Sequence, residues 1–261
     1  MRLTRGLLKF ICVSVMVVSM INSSLAAEAK PQILMAGDST MSIKALSDYP
    51  ETGWGMPFAS FFADDIKVIN LAKNGRSTAS FKTEGLWQQI LDLCQPGDYV
   101  FIQFGHNDEV STKATYTTPE QFKANLNAFI QDVQAKHAHP ILLTSVTRRY
   151  FTAEGKIEPT HPYSVIVDQV AQQHNVEFID MDSISREHFS QMGDEASALR
   201  FMHIKPGLHP NYPNGVRDNT HFNELGAREV AQLVLAELKQ RQSPLIQYLR
   251  EVDPKHLNLQ Y

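Results

Sequence analysis

The chain has 261 residues, of which 43% are hydrophobic and 20% are charged. This composition is typical of a folded globular protein and excludes an intrinsically disordered chain. The net charge is −4, and it becomes −7 when residues 1–26, with three basic residues and no acid, are left out. Such an acidic balance excludes a basic nucleic-acid-binding protein, so we expect no nucleic-acid partner.

Residues 1–26 have the pattern of an export signal. Basic residues precede an apolar run over residues 10–21, and Ser24-Leu25-Ala26 then provides a small-x-small cleavage site. An uncleaved membrane anchor is the alternative, but the run is shorter than the roughly 20 apolar residues that span a bilayer. We therefore predict a signal peptide over residues 1–26, export to the periplasm or the extracellular space, and no stable membrane association after cleavage.

Short apolar runs and helical patterns alternate along the remaining chain, residues 27–261. Five runs rich in Val, Ile, Leu and Phe are nearly continuous, which is typical of parallel strands covered on both faces. They are Gln32–Ala36, Lys67–Leu71, Asp98–Phe104, Pro140–Val146 and Val176–Asp180. The clearest helical patterns are Pro119–Lys136, Tyr163–His174 and Glu224–Leu238. The alternation predicts an α/β fold, a single three-layer αβα domain around a five-stranded parallel sheet.

Residues 201–219 differ from the rest, because they contain three prolines and two glycines. Long irregular segments inside a compact domain are usually functional or mobile. Since this segment leads directly into Asp218 and His221, we expect a loop beside the active site, and a plain surface connection is the alternative.

Polar motifs follow three predicted strands and precede the last long helix. They are Gly37-Asp38-Ser39, Asn74-Gly75-Arg76, His106-Asn107-Asp108 and Asp218-Asn219-Thr220-His221. In open parallel sheets, ligands bind beyond the carboxyl ends of the strands. Each motif is weak by itself, because a lone Gly-Asp-Ser is more often a turn or a helix cap. Their order and joint placement predict an active site, in which Asp108 has the character of a turn or cap residue.

Ser39 and His221 have the chemistry of a nucleophile and its base. A serine hydroxyl is a poor nucleophile at neutral pH until a base accepts its proton, and a histidine with the ordinary pKa of about 6.5 suits that task. We expect Asp218 one helical turn before His221, where its carboxylate can hold the second ring nitrogen. If the three strand ends are adjacent, the backbone amides of Ser39 and Gly75 and the side-chain amide of Asn107 form an oxyanion hole.

Together these residues resemble the SGNH (GDSL-type) hydrolases, whose four named positions match Ser39, Gly75, Asn107 and His221 in order. The residues around them are similar to those of the rhamnogalacturonan and pectin acetylesterases, in segments 36–41, 74–77, 104–108 and 218–222. The likeness runs from about residue 33 to residue 238, which is nearly all of the chain beyond the predicted signal peptide.

The resemblance implies a flavodoxin-like SGNH hydrolase fold and a secreted esterase that removes O-acetyl groups from pectin, with rhamnogalacturonan as the favoured polymer. Ser39 would form an acetyl-enzyme, His221 would act as base and then as acid, and Asp218 would orient His221. Water completes such a reaction, so no metal and no organic cofactor is required. The implied partner is acetylated plant cell-wall polysaccharide or its oligosaccharides, and we expect a monomer.

Four further residues are candidates for substrate binding, and each has an alternative role. Trp54 and Tyr212 can stack on sugar rings or pack within the protein. Arg76 can bind an anionic sugar or form a local ion pair, and His106 can contact substrate or hold its loop. Two other functions stay open on the sequence alone: a lysophospholipase- or thioesterase-type acyl hydrolase, and a non-catalytic glycan-binding protein.

Overall fold

The computed structural model describes residues 30–250, so the signal peptide predicted over residues 1–26 lies outside the described part. Five parallel strands form the central sheet: β1 (Ile33–Gly37), β2 (Val68–Asn70), β3 (Tyr99–Gln103), β4 (His139–Leu143) and β5 (Glu177–Ile179). Their spatial order is β2-β1-β3-β4-β5. The predicted α/β fold with a five-stranded parallel sheet is therefore confirmed.

Eight α-helices flank the strands within residues 30–250. They are α1 (Gly55–Phe58), α2 (Thr78–Thr83), α3 (Leu86–Leu93), α4 (Pro119–Ala135), α5 (Ser164–His174), α6 (Met181–Met192), α7 (Asp194–Ala198) and α8 (Glu224–Gln240). Helix α4 begins at a capping box, because the Oγ1 atom of Thr118 accepts from the Gln121 amide and the Gln121 side chain accepts from the Thr118 amide. No helix of this described stretch is both long and apolar enough to cross a membrane.

The sheet separates two apolar layers, because successive side chains of a strand point to opposite faces. Ile33 and Met35 of β1 pack with side chains of α1, α6 and α8, whereas Leu34 and Ala36 pack with those of α2, α3, α4 and α5. Burial of both faces explains why the strand sequences are almost continuously apolar. The result is the expected three-layer architecture.

The prediction of one irregular loop over residues 201–219 is wrong at both ends. Phe201–Ile204 (β6) and Val216–Phe222 (β7) form a two-stranded antiparallel sheet, which confines the irregular connection to residues 205–215. The three prolines and two glycines of residues 201–219 all fall in this connection. The two strands are held by packing that local composition does not reveal: the buried rings of Phe201 and Phe222 have their centroids 4.9 Å apart.

Candidate active site

Ser39 and His221 are in hydrogen-bond contact at the carboxyl edge of the sheet. Ser39 follows β1, and its Oγ atom lies 2.9 Å from Nε2 of His221, which is on β7. The other ring nitrogen, Nδ1, lies 2.7 Å from Oδ2 of Asp218. In this arrangement the carboxylate fixes the imidazole ring, and the imidazole can accept the proton of the serine hydroxyl.

A bulge in β7 brings Asp218 and His221 together. Met202 pairs with Asp218 and Phe201 pairs with Phe222, so residues 219–221 of β7 have no counterpart on β6. The expectation of a helical turn between Asp218 and His221 is therefore wrong, because the segment is a strand. The contact itself is present, since the bulge folds the chain back far enough for the carboxylate to reach the ring.

The carboxylate of Asp218 is held in its charged form. Burial by itself would raise its pKa, but the hydrogen bond and charge of His221, together with the backbone amides of Thr220 and His221, lower the pKa to about 2. Oδ1 accepts from these two amides at 2.6 and 3.1 Å. An ionised Asp218 is suited to stabilise the positive charge that the His221 ring acquires when it takes a proton.

The turn that carries Ser39 is tied to the core by buried polar side chains. Asp38 is fully buried, and its Oδ1 atom accepts from the amide and the hydroxyl of Thr40 at 3.0 and 2.9 Å. The Thr40 hydroxyl in turn accepts from Nε2 of Gln103 at 2.8 Å. Gln103 ends β3 and accepts at Oε1 from the indole N–H of Trp54 at 2.8 Å. Trp54 thus takes the packing role, because its ring is fully buried and serves this network.

The three predicted oxyanion donors line one cleft. Gly75 has a φ of 77°, a left-handed conformation that glycine adopts readily. A Cβ atom at this position would meet no protein atom within 4 Å, so conformation rather than crowding accounts for the glycine. The amide of Asn107 donates from Nδ2 to the carbonyl of Arg76 at 3.0 Å and accepts at Oδ1 from Nζ of Lys113 at 2.8 Å. These contacts fix its orientation, and a second N–H remains on Nδ2 for a ligand.

The cleft has a volume of about 390 Å³ and a polar lining. Its lining residues are Ser39, Glu51, Asn74, Gly75, His106, Asn107, Lys113, Arg148, Thr220 and His221. No group of three or more His, Cys, Asp or Glu side chains among residues 30–250 is arranged to hold a metal ion. The residues in the cleft offer a nucleophile, a base and amide donors, which together can carry out acyl transfer.

His106 lines the cleft, whereas Asp108 lies behind it. The His106 ring is buried against His161, with centroids 4.5 Å apart, and burial lowers its pKa well below the ordinary value. Its ring nitrogens form no hydrogen bond with the described residues, so the ring does not hold the loop through polar contacts. Asp108 does not cap a helix of its own segment; instead its Oδ1 accepts from the amide and hydroxyl of Thr78, the first residue of α2, and from the hydroxyl of Thr117.

Arg76 and Tyr212 are not among the residues that line the cleft. The Arg76 guanidinium forms the local ion pair that was its alternative, with Nη2 at 2.8 Å from a carboxylate oxygen of Glu84. The Tyr212 hydroxyl donates to the carbonyl of Asp48 at 2.8 Å, which fastens the 205–215 connection to the segment after β1. In this structure both side chains are therefore engaged within the protein.

Five residues that line the cleft were not predicted. They are Glu51, Asn74, Lys113, Arg148 and Thr220. Asn74 and Thr220 lie inside the motifs that sequence analysis identified, and attention to every polar residue of those motifs would have found them. The other three come from connections with no motif of their own, and only the folded sheet edge brings them to Ser39.

The site consists of a serine in contact with a histidine that is itself held by a carboxylate, at the carboxyl edge of a parallel α/β sheet. This arrangement defines the class of serine-dependent hydrolases. Residues 35–228 match the GDSL-like lipase/acylhydrolase family. The chain belongs to this family of serine esterases. The prediction of an SGNH-type ester hydrolase is thereby confirmed.

Relatives of the chain include proteins with assigned names and a solved structure. The chain is 41% identical over 221 residues to the rhamnogalacturonan acetylesterase RhgT of Bacillus subtilis. This alignment covers 84% of the chain and 94% of RhgT. The chain is 35% identical over 215 residues to YesY of the same bacterium, covering 82% of this chain and 94% of YesY. The crystal structure of YxiM, also from Bacillus subtilis, has a TM-score of 0.70 at 27% identity. That match covers 82% of this chain and 57% of the YxiM chain.

Proposed function

We propose that this protein hydrolyses O-acetyl groups of pectin, with rhamnogalacturonan as its polymer, by a Ser-His-Asp mechanism. The observation that carries the proposal is the 2.9 Å contact between Ser39 Oγ and His221 Nε2 inside a small polar cleft. The 41% identity to a protein named a rhamnogalacturonan acetylesterase supports the choice of polymer.

Ser39 begins the reaction as the nucleophile. His221 Nε2 accepts the proton of the Ser39 hydroxyl while Oγ attacks the carbonyl carbon of the acetyl ester. The Asp218 carboxylate holds the protonated ring in place through Nδ1. The Ser39 hydroxyl already lies at hydrogen-bond distance from His221 without substrate, so little rearrangement is needed for the reaction.

The negative charge of the tetrahedral intermediate is stabilised by the amides of Ser39, Gly75 and Asn107. Each such donor is typically worth about 10²–10³ in rate. When the intermediate collapses, the C–O bond to the sugar breaks, and the proton on His221 passes to the departing sugar oxygen. Water then attacks the acetyl-enzyme with His221 as its base, which releases acetate and restores the Ser39 hydroxyl.

The lining of the cleft favours an acetyl group over a long acyl chain. None of the residues that line it has an aliphatic or aromatic hydrocarbon side chain, whereas acyl-chain pockets are mostly apolar. The alternatives of a lysophospholipase-type or thioesterase-type hydrolase therefore receive no support from the cleft.

The test measures acetate released by the purified protein from acetylated rhamnogalacturonan, homogalacturonan and xylan. Nitrophenyl acetate and nitrophenyl octanoate are assayed in parallel to compare acyl lengths. Ser39→Ala removes the nucleophile, and Ser60→Ala is a matched control because Ser60 is an exposed serine outside the cleft. We expect acetate release to be highest on rhamnogalacturonan, lost in Ser39→Ala and retained in Ser60→Ala.

Two other outcomes would contradict the proposal in different ways. Preference for the octanoate ester with no release from polymers would indicate the acyl-chain hydrolase. Binding of polymer without hydrolysis of any ester, unchanged in Ser39→Ala, would indicate the non-catalytic glycan-binding protein.

Export and a monomeric state are also part of the proposal. The support for export is the basic, apolar and small-residue pattern of residues 1–26. Expression of the full chain and of a chain lacking residues 1–26 in a Gram-negative host, followed by fractionation, tests it. We expect only the full chain to reach the periplasm or the medium, and size-exclusion chromatography to give the mass of one chain.

A further inference from the structure

Two cationic side chains line the cleft beside Ser39, although the protein as a whole is acidic. They are Lys113, from the connection between β3 and α4, and Arg148, from the connection between β4 and α5. The chain has a net charge of −4. A ligand that carries negative charge would therefore interact favourably with both side chains.

Lys113 has no acidic partner among the described residues. Its Nζ atom donates to the neutral Oδ1 atom of Asn107 at 2.8 Å, and no carboxylate oxygen of residues 30–250 lies within 4.0 Å of it. An ammonium group has three donors. The contact with Asn107 uses one of them, and it holds the charge beside the oxyanion hole.

Arg148 is fixed in the cleft wall by its neighbours. Nη1 donates to the Thr220 hydroxyl and Nη2 to the His106 carbonyl, both at 3.2 Å. The nearest acid is Glu109, whose Oε1 atom lies 3.7 Å from Nη2 but only 2.7 Å from Nδ1 of His161. The guanidinium has five donors, so donors remain for a ligand.

Glu51, the acidic residue among those that line the cleft, already forms an ion pair with a lysine. Glu51 lies 2.7 Å from Nζ of Lys44, a lysine whose side chain is 2% exposed. The charge of Glu51 is therefore matched from within the protein. Arg148 is partly matched by Glu109, which leaves Lys113 as the cation of the cleft with no carboxylate oxygen of residues 30–250 within 4.0 Å.

We propose that Lys113 and Arg148 form a subsite for the carboxylate of a uronic-acid residue of the acetylated polymer. The inference rests on the proposed function and names the chemical group by which the enzyme distinguishes pectic polymers from neutral ones. Lys113 supplies a point charge, and Arg148 supplies a planar fork that matches a carboxylate. A uronate held there places an acetyl ester of the same segment of polymer beside Ser39.

Lys113→Gln tests the subsite, because it removes the charge and keeps a side-chain N–H for Asn107. Lys113→Arg restores the charge, and Lys239→Gln is the matched control, since Lys239 is exposed on α8 outside the cleft. For each protein, kcat/KM is measured on acetylated rhamnogalacturonan, on acetylated xylan without glucuronate side groups, and on nitrophenyl acetate. We expect Lys113→Gln to lose about tenfold more on rhamnogalacturonan than on the two neutral substrates, a difference typical of one charged contact.

A second measurement reads binding without polymer hydrolysis. Unacetylated trigalacturonate is expected to inhibit nitrophenyl acetate hydrolysis competitively, and xylotriose, which carries no charge, is not. Lys113→Gln should raise the inhibition constant of trigalacturonate about tenfold, Lys113→Arg should restore it, and added salt should raise it for the wild type.

The possible failures are distinguishable. If the wild type favours rhamnogalacturonan but Lys113→Gln loses equally on all three substrates, Lys113 acts only by orienting Asn107 and the anion subsite is wrong. If the wild type hydrolyses xylan as readily as rhamnogalacturonan and trigalacturonate does not inhibit, the proposed substrate is wrong and the subsite with it. Inhibition by trigalacturonate that depends on Lys113 would support the subsite even if another uronate polymer proved to be the substrate.

Discussion

Asp218 contacts His221 through both of its carboxylate oxygens. Oδ1 accepts from the backbone amide of His221 at 3.1 Å, and Oδ2 lies 2.7 Å from the ring nitrogen Nδ1 of the same residue. One side chain therefore fixes the backbone and the ring of its partner together. This double contact is what the bulge in β7 makes possible, and it leads to two predictions.

Asp218→Asn is expected to lower kcat by about 10⁴, and it also removes the stability that the charged carboxylate gives the folded state. An amide can keep the bulge but favours the wrong tautomer of the His221 ring and cannot stabilise its positive charge. Asp168→Asn is the matched control, because Asp168 is a carboxylate of α5 that does not line the cleft. Steady-state kinetics on nitrophenyl acetate check the prediction, and a loss of less than tenfold would assign the orienting role elsewhere.

The decrease of kcat/KM at low pH is expected to depend on the protonation of one group. With its pKa lowered to about 2, Asp218 stays charged down to pH 4, so its own protonation does not lower kcat/KM above that pH, and the base of the mechanism is the group that must lose a proton. A plot of log kcat/KM against pH should therefore fall with a slope of one on its acid side. The stability that comes from the lowered pKa is complete above the ordinary value of 3.8 and is lost as the pH falls toward 2. A slope of two would show that a second group in the cleft must also lose a proton.

Gln103→Leu is expected to uncouple the Ser39 turn from the core. The change leaves the buried indole N–H of Trp54 without its acceptor and removes a donor to Thr40, at a cost of about 1–3 kcal/mol in the free energy of unfolding. Because Thr40 follows Ser39 directly, kcat should fall while KM changes little. Denaturant unfolding and kinetics on the same samples measure the two effects.

A matched control for Gln103→Leu is available on the other face of the sheet. There the indole of Trp87 donates to a carboxylate oxygen of Asp132 at 2.9 Å. Asp132→Leu removes a comparable hydrogen bond from a tryptophan and should lower stability without lowering kcat. If both variants reduced kcat equally, the effect on Ser39 would be one of general destabilisation.

Asp108→Asn is expected to change how stability depends on pH. Burial is the main cause that raises the pKa of Asp108 to about 6 from the ordinary 3.8, so the folded protein binds a proton between these values that the unfolded chain releases. The wild type therefore loses stability from this group as the pH rises from 4 to 7.5, by an amount of up to about 3 kcal/mol. Asparagine does not titrate, so the melting temperature of the variant relative to the wild type should rise over that range. A constant difference would mean that Asp108 is ionised throughout.

The sequence was most informative where local pattern and burial agree. The five strands and the amphipathic helix α4 were predicted because their apolar periodicity reflects the faces that they bury. The bulge in β7 was missed, since the 205–215 connection dominates the composition of its segment. We identified Ser39, Asn107 and His221 from their residue types and their order along the chain. These two features restrict the possible chemistry more strongly than they restrict the fold.

The residues proposed to bind substrate were less predictable from the sequence. Trp54 and Tyr212 have the right chemistry for sugar stacking, but each finds a hydrogen-bond acceptor within the protein. The same holds for Arg76, which pairs with Glu84 eight positions later. Lys113 and Arg148 carry no local signal, because their relation to the cleft depends on connections that meet only in the folded chain.

Ser39 and His221 are 182 positions apart in the sequence, so their contact depends on most of the described chain being folded. The nucleophile follows the first strand of the parallel sheet, but its base lies on β7, which pairs with β6 in a separate two-stranded sheet. Closing a loop of this length is entropically unfavourable until the intervening layers are in place. Ester turnover by a refolded chain therefore reports that the first strand and the β6–β7 hairpin are both in place, which secondary-structure content alone does not.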